Sequence, residues 1–148
     1  MKNINTLTGK AGFSLIEVLM SMLVMSVGLL GVLGLFINGI KTTDAAYLHS
    51  QAVVMAHDMA DRIRANPSAL DDYSLALDST LVAPGNDCAS APCSTIQLAE
   101  ADLYDWKSQV TTTLPESDVS VVTVSPNTTI MVTWDHLGDS ESYSVTMR

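Results

Sequence analysis

The sequence predicts an α+β fold: a long N-terminal helix, part membrane stem and part amphipathic spine, packed against a small antiparallel sheet with a second helix. Three patterns predict it. Residues 18–40 are 23 consecutive positions without a charge. Leu48, Ala52, Met55, Met59 and Ile63 then recur at spacings of four, three, four and four, the apolar stripe of an amphipathic helix. After Pro115 the apolar period changes to two, as in half-buried strands.

At about 1.5 Å per residue, the uncharged run crosses a hydrocarbon core of about 30 Å with a little to spare. A secretory signal has an apolar region of only about 7–15 residues, with a small-residue cleavage site after it. Here Lys41-Thr42-Thr43-Asp44 follows the run, and the small residue, Gly12, precedes it. A cut in this chain would therefore remove a polar leader and keep the helix. Glu17 is the only charge in the apolar stretch that begins at Gly12-Phe13. A carboxylate at the edge of a bilayer span is costly, so it marks a functional site by default.

Charge gives the topology. Lys2 and Lys10 precede the span and hold the leader in the cytoplasm. Beyond Lys41 lie 15 of the 16 acids and 4 of the 7 bases, a net charge of −11. That domain lacks the basic patch that nucleic acid requires. It reads as a soluble periplasmic domain on a single-pass inner-membrane anchor, kept dispersed by its own charge. The expected division is a leader at 1–12, a transmembrane helix at 13–41 and a headgroup at 42–148.

Gly12, Phe13, the run Ser14-Leu15-Ile16-Glu17-Val18-Leu19 and the long apolar helix behind them resemble a type IV prepilin. The resemblance implies that prepilin peptidase cuts between Gly12 and Phe13 on the cytoplasmic side and methylates the new terminal amine of Phe13. It implies further that Glu17, fifth in the mature chain, neutralises a neighbouring subunit's N-terminus during assembly. An ammonium and a carboxylate in low dielectric attract strongly, and each is expensive to bury alone. The plainer reading is a single-pass anchor with a stray acid, but a stray acid would not usually follow a Gly-Phe junction at this spacing.

The spine should continue to Ala65, giving a helix over 13–65 of 53 residues and about 80 Å. Asp58 can pair with Arg62 at i,i+4, Arg62 and Arg64 suit the negative end of the helix dipole, and Asn66-Pro67 stops the helix. Gly28, Gly31, Gly34 and Gly39 fall in the membrane half, where small residues allow close helix packing. Many major pilins kink near Gly34 with a proline; this stem has none.

Residues 68–92 are irregular and lead into the only two cysteines, Cys88 and Cys93. Their C-x4-C spacing is not that of a redox centre, and two thiols alone make a poor zinc site. In an oxidising periplasm a disulfide is favoured, a local clip stabilising by roughly 2 kcal/mol. Major pilins usually close a larger C-terminal loop, so a tight mid-chain clip departs from their pattern. Ser94-Thr95-Ile96-Gln97 has capping-box spacing, Ile96, Ala99, Leu103, Trp106 and Val110 form a second stripe, and Pro115 ends it. Trp106 on such a stripe is a core residue before it is a partner-binding one. Strands are expected over 119–124, 129–134 and around Tyr143, Val145 and Met147, with a turn at 125–128. Such a meander packing on the spine gives the α+β, pilin-like headgroup that the resemblance implies.

The stem Ser26-Val27-Gly28-Leu29-Leu30-Gly31, the segment Ala60-Asp61-Arg62-Ile63-Arg64-Ala65-Asn66-Pro67, the cysteine clip and Gln97-Leu98-Ala99-Glu100-Ala101-Asp102-Leu103 are similar to the PilV group of type IV pilus minor pilins. That resemblance implies partnership with other minor pilins and the major pilin in a priming complex. The complex starts a surface pilus serving adhesion or twitching motility and can carry a tip adhesin. The alternative is a minor pseudopilin of a type II secretion system.

An enzyme is not expected, since no G-x-S-x-G, H-E-x-x-H or P-loop pattern is present, and no cofactor is expected either. His49 and His57, eight apart, read as solvated helix positions, not metal ligands. Asp135, His136, Asp139 and Glu141 could offer oxygen ligands to Ca²⁺, but without EF-hand spacing they read as a solvated turn.

Overall fold

The computed structural model describes residues 12–148. The leader, with Lys2 and Lys10, therefore lies outside the described residues up to Gly12. The chain divides into two compact units, Met1–Thr42 and Thr43–Arg148. Helix α1 (Leu15–Ala65) runs through both. It begins two residues later than expected, because Gly12, Phe13 and Ser14 are not helical. The Ser14 carbonyl accepts from the amides of Glu17 at 3.0 Å and Val18 at 3.3 Å, the latter the first regular helical bond and the former satisfying one of the amides that a helix start leaves open.

In the first unit every described side chain is exposed, and α1 is long and apolar enough to cross a membrane. Its hydroxyls are satisfied within the helix. Ser21 donates to the Val18 carbonyl at 2.9 Å and Ser26 to that of Leu23 at 2.8 Å. Such back-bonding lets a polar side chain sit in a solvent that offers no hydrogen bonds.

In the second unit the α1 stripe is buried as its spacing predicts: Leu48, Ala52, Met55, Met59 and Ile63, with Ala56 and Ala60 between. Asn66 and a 3₁₀ segment at Pro67–Asp72 turn the chain. Helix α2 (Thr95–Thr113) starts with the expected capping box, the Ser94 side chain accepting from the Gln97 amide while the Gln97 side chain accepts from that of Ser94. Ala99, Leu103, Trp106 and Val110 are buried, but Ile96 is half exposed. It sits in the first turn, where Ala99 is the first residue of the stripe to reach the core.

Strands β1 (Asp118–Val124), β2 (Asn127–His136) and β3 (Asp139–Met147) form an antiparallel meander in that order. The register Val119↔Val132, Val121↔Ile130, Ile130↔Val145 and Val132↔Tyr143 puts these side chains on the core face, while Ser142, Ser144 and Thr146 alternate outward. The outer edge of β1 is covered by Leu75, which exchanges both backbone hydrogen bonds with Val121 at 2.9 and 2.8 Å. The turn expected over 125–128 is tighter, with Val124 facing Asn127 across Ser125-Pro126.

The segment 135–141 is the expected turn between strands, closed as a tight hairpin. His136 pairs with Asp139 across Leu137 and Gly138, whose φ angles are 60° and 90°, the signs of a type I′ turn. The Asp135 carboxylate accepts from the Gly138 amide at 2.9 Å. Alternation puts Asp135 on the sheet face opposite His136 and Glu141, so the four polar residues do not converge on one point.

Candidate functional site

The N-terminal site is built from a short non-helical lead-in and the first turn of α1. Phe13 is 84% exposed, and a side chain built at Gly12 would meet nothing within 4 Å. Nothing in the described chain therefore requires glycine at this position. Glu17 occupies the first turn of α1, where the positive end of the helix dipole favours a carboxylate. Above it Gly28, Gly31, Gly34 and Gly39 likewise face open space, leaving a smooth surface for close approach of another helix.

The headgroup holds two polar centres. The first joins the end of α1 to α2. Arg62 bonds Asp58 at 2.9 Å and reaches Asp102 at 3.2 Å. The Tyr73 hydroxyl donates to the other Asp102 oxygen at 2.6 Å, and the Asn66 amide donates to the Thr95 carbonyl at 2.8 Å and to Tyr73 at 3.3 Å. Burial, followed by the bond to Asp102, pushes the Tyr73 phenol up to about 12. Burial opposes the Arg62 charge, but Asp58 and Asp102 outweigh it and hold the guanidinium above its ordinary value. Helical spacing shows the Asp58–Arg62 pair alone; the partners of Asp102 are 29 and 40 residues away, and Asn66 and Tyr73 are 7 apart across the turn.

The second centre ties the irregular segment to the sheet. Lys107 donates to Asp118 at 2.6 Å and to the Ser79 carbonyl at 2.7 Å. Asp118 also accepts from the Asp78 amide. Burial would raise the Asp118 carboxyl, but Lys107 and the amides of Asp78 and Val119 hold it below the usual range. These residues line a polar cleft of about 560 Å³, where the ammonium and the carboxylate are already paired with each other.

The remaining candidate residues have structural places. Cys88 and Cys93 form a disulfide of 2.01 Å. Trp106 is fully buried, its indole nitrogen donating to the Met55 carbonyl at 2.9 Å. His49 and His57 are exposed, as expected of helix positions, yet both contact Tyr143, and His49 also packs edge-on to Trp134. His136 lies 3.4 Å from Asp44. Among the described residues no three His, Cys, Asp or Glu side chains are grouped to hold a metal ion.

Two family models match. Residues 7–33 match the prokaryotic N-terminal methylation motif, a span that contains Gly12, Phe13 and Glu17. Residues 34–104 match the model described as type IV pilin Tt1218. No curated protein and no solved structure matches the chain. A methylation motif leading directly into a pilin match, on a long apolar helix with an α+β headgroup, makes the chain a type IV pilin with a prepilin N-methylation motif.

Proposed function

We propose that this chain is a minor pilin of the type IV pilus, of the PilV group. Prepilin peptidase cleaves it between Gly12 and Phe13 and methylates the Phe13 amine. Residues 13–41 anchor the subunit in the inner membrane, with 42–148 on the periplasmic side. Glu17 then receives the N-terminal ammonium of a neighbouring pilin as the subunit joins other minor pilins and the major pilin in a priming or tip complex. That complex starts a pilus used for adhesion or twitching, and a tip adhesin is a further partner.

The observation that carries this reading is the non-helical, exposed Gly12-Phe13 lead-in with Glu17 in the first helical turn, inside the methylation-motif match. A scissile bond held in a helix must be unwound to enter a protease, and the Gly12-Phe13 bond lies outside the helix. A glycine that the chain's own packing does not require is best explained by what binds it. The absent stem proline and the short mid-chain disulfide support a minor over a major subunit.

Replacing Gly12 with a bulky residue should leave the leader attached and keep the protein out of pili. Normal processing of that variant would overturn the cleavage assignment. Glu17→Val should still be cut but should dock poorly; wild-type piliation would show the charge pair to be dispensable. Deleting the gene and scoring surface pili, twitching and secretion together separates the pilus role from that of a type II secretion pseudopilin.

A further inference from the structure

Strand β3 ends the sheet. Residues flanking a two-residue hairpin turn form a hydrogen-bonded pair, so His136 and Asp139 are one, and every second residue of β3 bonds β2. Ser140, Ser142, Ser144 and Thr146 therefore turn their N–H and C=O groups to the outer edge. The opposite edge of the sheet is covered, Leu75 exchanging both bonds with Val121. Among the described residues no backbone group meets the outer edge of β3. Natural edges are blunted by lysine, proline or bulges. The nine residues of β3 include no lysine or proline, and their register with β2 is unbroken. The core-facing row is also incomplete beside that edge. Val121, Ile130 and Val132 are fully buried, but Tyr143, Val145 and Met147 of β3 are only half-buried.

We propose that this edge receives an antiparallel strand from another protein, one with alternate apolar residues followed at the same spacing by lysine or arginine. A free row of N–H and C=O groups selects an extended chain, and antiparallel pairing is the more stable kind. The core-facing side chains of β3 specify the rest. Met147, Val145 and Tyr143 offer an apolar half, and Glu141 and Asp139 an acidic one. Neither acid has an ion-pair partner among the described residues. Glu141 lines an open cleft of about 420 Å³ beside α1, room for a long basic side chain. A base opposite Glu141 falls at the C-terminal end of an antiparallel strand. A second copy of this chain is the poorer occupant, because it would bring together two headgroups of net charge −11.

The test uses the full chain in detergent micelles and two acetylated peptides. One is Val-Thr-Val-Ser-Val-Thr-Lys-Ser-Lys, and the other has glutamate in place of both lysines. Hydrogen exchange is read at the amides of Ser142, Ser144 and Thr146. These should exchange freely in the chain alone and slow by about 10-fold with the lysine peptide at millimolar concentration. The glutamate peptide should bind about 2- to 5-fold more weakly. Ser144→Pro removes an outward amide and no bond to β2, so it should abolish the slowing and leave thermal unfolding unchanged. Glu141→Lys, which keeps the backbone of the edge intact, should erase the preference between the peptides. Amides already protected in the chain alone, or protection that grows with protein concentration as a second copy would cause, overturn the proposal. So does the absence of slowing, or equal binding of the two peptides.

Discussion

Asp102 shows how much one side chain can organise. It receives a guanidinium from the end of α1 and a phenol from the segment after it, and it belongs to α2 itself. A carboxylate so placed is satisfied by donors from two other parts of the chain, as a part-buried charge requires. Tyr73 gives the measurable consequence. Its phenol is raised to about 12, against about 10 for a free tyrosine, so the folded state holds the proton more tightly than the unfolded one. The resulting stability is present below about pH 10 and is lost as pH rises towards 12. Tyrosinate absorbance should show a late phase in the native protein that Tyr73→Phe removes; identical titrations would refute the assignment. The same substitution should cost about 1–3 kcal/mol through the lost bond to a charged acceptor, read by denaturant unfolding.

At the scale of the element, each segment ends where local chemistry ends it. Asn66-Pro67 closes α1, the Ser94–Gln97 box opens α2, and Leu114 follows its last turn before Pro115. The β2–β3 turn is the element whose local sequence fits least well. Gly138 is suited to its φ of 90°, but Leu137 is held at 60°, a region that costs an ordinary L-residue roughly 1–2 kcal/mol. Type I′ turns favour asparagine there. Leu137→Asn should therefore stabilise the headgroup by about 0.5–1 kcal/mol, seen as a higher midpoint in thermal unfolding. Leu137 is 69% exposed, so little buried area is lost to offset the gain. An unchanged or lower midpoint would show that the turn relaxes without strain.

Across the whole molecule, the two units meet different solvents by composition. The first is an apolar helix whose described side chains are all exposed, and the second encloses Trp106, Tyr73, Met59 and Ile63 in a core of its own. That core explains why the disulfide should be dispensable for folding. Cys88 and Cys93 close a loop with a sequence separation of 5, worth about 2 kcal/mol in the chain-entropy picture. Cys88→Ser with Cys93→Ser should lower headgroup stability by about that amount while leaving its circular dichroism native. Loss of the folded spectrum would mean that the clip organises the irregular segment from Tyr73 onwards.

The sequence by itself determined the long helix, its buried stripe, the capping box, the strand positions and the Gly12-Phe13-Glu17 cluster. Each of these is written in local spacing or in a single charge against an apolar background. Only the tertiary structure decided the rest. Ile96 shares the period of its stripe, but it lies beyond the packed length of α2. His49 and His57 became neighbours of Tyr143, and the acidic residues of the expected turn at 135–141 placed their carboxylates on opposite faces. Asp102 gathered Arg62 and Tyr73 from 40 and 29 residues away. Such contacts depend on how helices and strands stack, and no periodicity within one segment encodes which polar groups will meet across them.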